Sequence, residues 1–495
     1  MSQIAQNNYS TTGFFKINQV CDTSKIPQIE NLKNQSLKEM TSINLNLSGR
    51  KIYHENFLEL CKIISQCQNL TQLCLNLNYA EIGTEGASKL GESISQCQQL
   101  QYLNLNLRYN LIFAIGSLKL IQGISRCTNL KSLCLKFDSN VINKPASIKF
   151  CEFINQCQYL EDIDIEMNYI KIQEENLGDE DVQIQISCPK LQTINLSLQH
   201  IQNKDIILCK IAEALNQSPQ LKKLSLNLFQ SQFSDLAFIA LGDKISNNQN
   251  LTELNLNLKE SELGDEGFLK LTQGITKCQY LKSLVFNCGF TQITQKYQDA
   301  FLEKLIQLSL LNLLILDFNN TNIENRFLAK FGEILPKLQY LQKLELNLSC
   351  SLKGLSQAIL KEFGEGLESS QNLKQFVLDI SGYVITAEEM SYLCKGISNS
   401  KCLTDFSLRL VRCQLDQQSL KYLGISIVQC TNLISFSVNL IANEVSEESK
   451  EELAKYISKS NRLLCCYLIL GFQSNLKLIK ALKCLRLVKF NPYIR

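Results

Sequence analysis

Histidine is almost missing from this 495-residue chain, which has only His54 and His200. General acid–base chemistry leans most on that side chain, so a Ser/His/Asp or Cys/His site would have to use one of those two. Long apolar runs are missing as well. No stretch approaches the ~20 residues of a membrane-spanning helix, and Met1 to Val20 lacks the basic-then-apolar order of a secretory signal. Charge of one sign is scarce: 50 Lys+Arg stand against 47 Asp+Glu, a formal net charge of +3, too little to draw nucleic acid. These absences point to a soluble cytoplasmic chain, with no membrane insertion and no nucleic-acid partner.

Cysteine, by contrast, is plentiful. Twenty-one Cys in 495 residues are too dilute for a disulfide scaffold, and an odd total leaves at least one thiol unpaired within the chain. Zinc would need close pairs at tetrahedral spacing. Only Cys465-Cys466 are adjacent, and neighbouring strand residues face opposite ways. The expectation is reduced, buried thiols acting as small apolar residues, with no metal and no cofactor.

One interval organises the sequence. Asn69-Leu70-Thr71-Gln72-Leu73-Cys74-Leu75 returns thirty residues later as Gln99-Leu100-Gln101-Tyr102-Leu103-Asn104-Leu105. With Met40 and Leu70 as the first anchors, the series continues through Leu100, Leu130, Leu160, Leu191, Leu221, Leu251, Leu281, Leu311, Leu341, Leu373, Leu403, Leu433 and Leu463. Steps are thirty except for 31 before Leu191 and 32 before Leu373. Such a period marks a stacked repeat architecture.

Each unit carries two rhythms. Apolar residues alternate from three places past the anchor (Leu73, Leu75, Leu77; Phe436, Val438, Leu440), which predicts a strand with one buried face. Before the anchor, sets such as Leu90, Ile94, Cys97 and Leu271, Ile275, Cys278 fall at four- and three-residue steps, one side of a helix. Seven cysteines share the last helical slot: Cys67, Cys97, Cys127, Cys157, Cys188, Cys278 and Cys430. A lone unit buries too little to fold, so strand–helix units must stack into a quasi-linear solenoid. Helices are wider than strands, so the stack curves with a parallel sheet on its concave side. The predicted architecture is a cap over residues 1–39, a solenoid of about fifteen repeats over 40–470, and a basic cap over 471–495. In that last segment Leu478, Leu482 and Leu485 suit a helix, while Leu485, Leu487 and Phe490 suit a further strand.

The pattern Leu70-x-x-Leu73-x-Leu75 and its copies resemble the leucine-rich repeat. Ile82-Gly83-Thr84-Glu85-Gly86 and Leu263-Gly264-Asp265-Glu266-Gly267, each leading into a helix, are similar to the long helical repeat of the ribonuclease-inhibitor-like class. The abundant Asn and Gln, with the Asn-x-Leu strand pattern, also resemble a ciliate-expanded set of such proteins. The resemblance implies a horseshoe that binds proteins as scaffold, adaptor or inhibitor, in the cytoplasm or on cytoskeletal or ciliary structures. One branch of the class activates GTPases with an arginine, for which Arg50 and Arg108 are the available residues. Some relatives of the ciliate set carry a kinase domain. The family's Asn eight residues past the anchor stands here only at Asn78, Asn168 and Asn319, which implies a weakened Asn ladder and a longer strand. The unit from Glu161 to Leu191 has Asp181 and Gln185 where an apolar helical pair belongs, so its helix is expected to be short or distorted.

Chemistry is not written in these motifs. No His-Arg-Asp loop, Walker motif or Gly-rich phosphate loop occurs. Asp317-Phe318-Asn319 and Asp405-Phe406-Ser407 fall inside repeat strands, and the repeats leave no room for a ~250-residue catalytic domain. The chain is therefore read as no enzyme, with function on its surfaces. Six places past each anchor, an outward column runs through Asn46, Asn76, Asn106, Lys136, Glu166, Ser197, Asn227, Asn257, Asn287, Asp317, Asn347, Asp379, Arg409 and Asn439. It is either an amide row that keeps the sheet soluble or a polar cradle for a protein partner. Asp162, Asp164 and Glu166 share one strand face, either solvated and partly neutralised by Lys136 or an anchor for a basic partner segment. A straight strand spaces them too widely to wrap calcium. Tyr79, Tyr109 and Tyr169, each two residues past a strand, form a second candidate patch.

Overall fold

The computed structural model describes residues 26–33, 35–52, 54–143, 157–173, 188–200, 205–321, 326–350, 353–354, 357–470 and 487–490, with isolated helical positions between 145 and 154. One parallel sheet of sixteen strands runs the length of the molecule. In order these are β1 (Ser42–Asn46), β2 (Gln72–Asn76), β3 (Tyr102–Asn106), β4 (Ser132–Lys136), β6 (Asp162–Glu166), β8 (Thr193–Ser197), β9 (Lys223–Asn227) and β10 (Glu253–Asn257), followed by β11 (Ser283–Asn287), β12 (Leu313–Asp317), β13 (Lys343–Asn347), β15 (Gln375–Asp379), β17 (Asp405–Arg409), β18 (Ser435–Asn439), β19 (Cys465–Ile469) and β20 (Leu487–Phe490). Two short parallel pairs lie outside it: β5 (Val141–Asn143) with β7 (Lys171–Gln173), and β14 (Lys353–Gly354) with β16 (Tyr383–Val384). The helices are α1 (Pro27–Lys33), α2 (His54–Gln66), α3 (Gly83–Ile94), α4 (Ala114–Ile124), α5 (Asp205–Asn216), α6 (Asp235–Ile245) and α7 (Asp265–Ile275), then α8 (Gln295–Leu305), α9 (Arg326–Ile334), α10 (Gln357–Ser369), α11 (Ala387–Asn399), α12 (Gln417–Gln429) and α13 (Glu447–Ile457). Sheet on the concave side and helices on the convex side make a curved leucine-rich-repeat solenoid.

The core follows directly from the two rhythms. In the second unit Leu70, Leu73, Leu75 and Leu77 are buried behind the sheet, while Leu90 and Ile94 meet them from α3. From α7 onward phenylalanines carry the same work: Phe268, Phe286, Phe301 and Phe318 touch one another with ring centroids 5.8–6.3 Å apart. Convex helices approach closely through glycine. A Cβ added to Gly123 would lie 2.0 Å from the Gly91 carbonyl oxygen, and one added to Gly274 would lie 2.0 Å from that of Gly242.

Polar side chains then tie each layer to the one before. The thiol of Cys97 donates to the Ile64 carbonyl at 3.5 Å, Cys127 to Ile94 at 3.4 Å and Cys430 to Ile397 at 3.3 Å. Each is buried and caps a carbonyl at the end of the preceding helix, a need every helix has. On the edge where strands begin, Asn69, Asn250 and Asn432 donate to carbonyls one layer back at 2.7–2.8 Å. At the helix starts, Asp235 accepts from Gly264 N–H at 2.8 Å and Asp265 from Thr294 N–H at 2.7 Å.

The loop ladder is not where the resemblance places it. It lies ten residues past the anchor, two beyond the expected position. Asn110 donates to Leu77 O at 2.8 Å and accepts from Ala80 and Ile82 N–H; Asn140 donates to Leu107 O at 2.8 Å. Asn443, Ser231 and Cys413 fill the same slot, reaching Leu410, Leu198 and Ile380 carbonyls. The ladder is thus displaced, with part of its amides exchanged for smaller donors. The strands are five residues long rather than extended, although the following residue still pairs: Leu77 N–H reaches Asn106 O at 2.8 Å.

Nine residues past the anchor, the backbone turns left-handed in unit after unit. Gly49 (φ 68°) and Gly382 (φ 84°) take this conformation freely, but Tyr79, Tyr109, Tyr169, His200, Gln230, Phe290 and Ala442 hold it at φ 52–59°. A side chain there costs ~1–2 kcal/mol. The return is an added layer-to-layer bond, as from Tyr79 N–H to Arg108 O at 3.1 Å and from Phe290 N–H to Asn319 O at 2.8 Å.

At the ends, α1 packs on α2 with Ile29 and Leu32 buried. The sheet does not stop at residue 470, since Leu487–Phe490 pairs with β19 as the sixteenth strand. Residues 1–25, the segment from 174 to 187 with Asp181 and Gln185, and residues 471–486 and 491–495 lie outside the described residues.

Candidate functional site

The concave face is built from side chains two, four and six places past each anchor. Pairing is in register, so the sixth places stack as one column: Asn46, Asn76, Asn106, Lys136, Glu166, Ser197, Asn227, Asn257, Asn287 and Asp317. Most of its amides have a local task. Asn76 Oδ1 accepts from Asn78 N–H at 3.3 Å, Asn287 Oδ1 from Gly289 N–H at 3.1 Å and Asn439 Oδ1 from Ile441 N–H at 3.1 Å. These are Asx turns, which end the strand and satisfy a donor that would otherwise have no partner. With the oxygen engaged by the backbone, the NH2 of the same amide is left for other acceptors. Asn257 spends one of those donors on Asn227 Oδ1 at 2.9 Å. Between Glu166 and Asn287 these side chains, with Asn195, Ser225 and Asn255, line an open hollow of about 440 Å³.

The acidic strand borders that hollow. Glu166 pairs with Lys136 at 2.8 Å and also with Arg108, which reaches across from the loop after β3 and binds Asp138 as well. Asp164 accepts from the Asn195 amide at 2.6 Å and from the Cys134 thiol at 3.4 Å. Burial pushes that thiol up to about 12, and the Asp164 carboxylate adds to the effect. Asp162 is exposed at the start of β6. The three acids therefore share a face but differ in engagement, and Arg108 is a partner two strands away that spacing alone does not reveal.

The tyrosines divide in two. Tyr79 and Tyr109 stack in adjacent layers, centroids 4.4 Å apart and planes within 2°. Ser139 holds the next left-handed position, and Tyr169 stacks instead on His200 at 4.1 Å, with Phe229 edge-on to His200 at 5.5 Å. His54 faces Glu85 at 3.7 Å on the convex side. Phe318 and Phe406, the centres of the two Asp-Phe pairs, are core residues. Asp317 is held above the usual carboxylate range by burial, opposed by hydrogen bonds from Asn319 N–H and the Asn347 side chain. Among the described residues no cluster of three or more His, Cys, Asp or Glu could hold a metal, and no helix is long and apolar enough to cross a membrane.

Sequence reasoning passed over one exposed segment. From Tyr109 to Gly116 every second residue is buried, and the outward row is Tyr109, Leu111, Phe113 and Ile115. The signal was available in the repeat itself: the corresponding outward places are Glu81, Gly83 and Glu85 one unit earlier, and Glu262, Gly264 and Glu266 in the unit of α7.

Neither a protein-family model nor a curated protein matches this sequence. Solved structures do. A leucine-rich-repeat protein of Leptospira interrogans aligns over 87% of this chain and 97% of its own, at 20% identity and a TM-score of 0.48. An internalin of Listeria monocytogenes aligns over 89% of this chain and 92% of its own, at 14% identity and a TM-score of 0.40.

Proposed function

We propose that the chain is a non-catalytic protein-binding scaffold that holds its partner in the concave groove. One observation carries this reading: the inner face of the sixteen-stranded sheet is uncovered by any helix among the described residues. Parallel sheets in compact domains are covered on both faces, so an open one with polar side chains is a surface available to another molecule. The amide oxygens engaged by the backbone leave that surface its NH2 groups. Its unspent donors at Asn227, Asn255 and Asn287 suit a protein segment rich in carbonyl and hydroxyl acceptors. Asp162, Asp164 and Glu166 border the groove at one end, where Asp162 is placed to meet a basic residue of the partner. Tyr79, Tyr109 and Tyr169 line its rim.

The full helix in most thirty-residue units supports placing the repeats in the ribonuclease-inhibitor-like class, and the Asn-x-Leu strands support the ciliate-expanded set within it. Eighteen cysteines outside any disulfide among the described residues accord with a cytoplasmic setting. The rival reading, a GTPase activator, needs a guanidinium free to enter another protein's site, and Arg108 is held by two carboxylates. A photo-crosslinking residue at Ser225 or Asn255 should capture a discrete partner from native cells, and the same residue at Lys270 on α7 should not. Capture from Lys270 alone would overturn the concave assignment, and intrinsic phosphotransfer or hydrolysis by the pure chain would overturn the non-catalytic one.

A further inference from the structure

The loop joining β3 to α4 presents an apolar ridge whose exposure the fold does not explain. Its inner row has clear tasks: Asn110 is a rung of the loop ladder, Ile112 enters the core, and Gly116 passes so close to Thr84 that a Cβ would meet its carbonyl oxygen at 2.8 Å. The outer row has none. Tyr109 is 41% exposed, Leu111 66%, Phe113 61% and Ile115 68%, and Tyr79, 53% exposed, extends the row by stacking on Tyr109. Leu111 is also left-handed at φ 55°, in a slot that Glu81 and Gln414 fill elsewhere. An apolar side chain is thus held in a disfavoured conformation and gains no burial from it. Single apolar residues occur at these outward places elsewhere, such as Leu236, 73% exposed, at the place of Ile115, but among the described residues only this unit has exposed apolar side chains at all three.

Size and charge narrow the occupant. Taking roughly 150–250 Å² for a large side chain, the five exposures leave about 500 Å² of apolar surface. That is at the upper end of what a monomer displays and well short of the ~800 Å² per partner of a stable dimer. The ridge suits a single segment rather than a second copy of the chain. Its edge toward the preceding unit is acidic, with Glu81 and Glu85 in the adjoining outward places. Glu81 pairs with the exposed Lys51 at 2.8 Å and Glu85 with the exposed His54 at 3.7 Å. Exposed pairs of this kind are weak and readily exchanged. The same acids disfavour an anionic lipid surface.

We propose that the ridge formed by Leu111, Phe113 and Ile115, with the Tyr79–Tyr109 stack, docks a basic amphipathic segment of another protein. Apolar anchors of that segment cover the ridge while its Lys or Arg side chains take Glu81 and Glu85. The ridge adjoins the rim of the concave groove at the Tyr79–Tyr109 stack, but Leu111, Phe113 and Ile115 lie outside the groove and their test does not depend on it.

The test uses the full chain and two fluorescent helical peptides, one of Leu and Lys at helical period and one with Glu in place of Lys. Anisotropy should show the Lys peptide binding at least tenfold tighter than the Glu peptide. Leu111→Gln with Ile115→Gln should weaken the Lys peptide at least tenfold, with circular dichroism unchanged because both side chains are exposed. Glu81→Gln with Glu85→Gln should weaken it several-fold and reduce its salt dependence. Three results would overturn the proposal: no preference between the peptides, equal binding by the Leu111/Ile115 variant, or no binding of the Lys peptide to the native chain. Association with phosphatidylcholine vesicles that the Leu111/Ile115 variant loses would reassign the ridge to lipid. A concentration-dependent dimer in sedimentation that the same variant loses would reassign it to self-association.

Discussion

Replacing Gly274 by alanine sets two physical effects against each other with opposite signs. Gly274 lies near the end of α7, and an alanine in a helix is favoured over glycine by about 1 kcal/mol. Judged by propensity alone, the variant should be more stable. The packing says otherwise. The new Cβ would sit 2.0 Å from the Gly242 carbonyl oxygen and 2.7 Å from its carbon, both backbone atoms of α6. No side chain can rotate away, so the two helices must part while their strands remain paired in register through β10 and β9. Overpacking of this kind costs typically ~1–3 kcal/mol, and a clash with backbone belongs at or above the top of that range. The net expectation is a loss of about 2 kcal/mol, roughly a thirtyfold change in the local opening equilibrium.

Hydrogen–deuterium exchange reads that quantity unit by unit. Amides of α6 and α7 should exchange about thirtyfold faster in Gly274→Ala, while those of α12 should not change. Lys270→Ala, an exposed change in the same helix, should be near neutral. If Gly274→Ala exchanges as slowly as the native chain, or more slowly, helix proximity is not what glycine provides here. Gly123→Ala, with the same 2.0 Å approach to Gly91, should repeat the effect between α3 and α4.

Asn110→Ala should destabilise the third unit by about 3 kcal/mol, because buried Leu77 O and the Ala80 and Ile82 N–H groups each lose a partner; Asn110→Ser, the residue found at this slot in Ser231, should recover part of that in a thermal melt. Relief of left-handed strain should make Ala442→Gly (φ 59°) more stable by about 1 kcal/mol, and an unchanged or lower melting temperature would refute the strain argument. Cys97, Cys127, Cys278 and Cys430 have thiols pushed up to about 12 by burial. A free thiol titrates near ~8.5, so above that pH the unfolded chain gives up protons that the folded chain keeps. Stability is therefore full below about 8.5 and falls toward 12, by ~1.4 kcal/mol per pH unit per thiol. Thermal midpoints should drop through this alkaline window, less steeply in Cys97→Ala with Cys127→Ala, and iodoacetamide at pH 8 should spare these thiols until the chain is denatured.

Much of this fold can be read from the sequence because its bonds are periodic. Leu73, Leu75 and Leu77 alternate, Leu90, Ile94 and Cys97 follow a helix, and both patterns return at thirty residues, so strand, helix and stacking direction are all legible. The loop ladder was misplaced for a chemical reason. Asn110 and Asn140 share their slot with Ser231, Thr291 and Cys413, and a search for one amide type finds Asn78 and Asn168 two places earlier. Long side chains were harder still. Arg108 crosses two strands to Glu166, a reach that depends on rotamers rather than spacing, so an acidic face that looks open in sequence is partly closed in space. The engagement of the column's amide oxygens follows from backbone geometry after each strand, which the alternation pattern does not encode.

A stack held together by identical neighbours has a consequence for where function can reside. The repeated polar residues are already accounted for by folding: Asn69 ties one edge, Asn110 the loop, Cys97 the helix end and Asn287 the turn after its strand. Selection for stability alone would keep these positions as they are, so their presence says little about a partner. Information about a partner has to sit where the repeat is broken without a structural return. Lys136 and Glu166 interrupt the amide column, but they repay each other through a network with Arg108 and Asp138. Leu111, Phe113 and Ile115 together interrupt a mostly polar rim and repay nothing among the described residues, since their neighbours Asn110, Ile112 and Ala114 already supply the contacts the unit needs. A break that costs the isolated molecule and benefits none of its layers is best explained by a contact the isolated molecule does not contain.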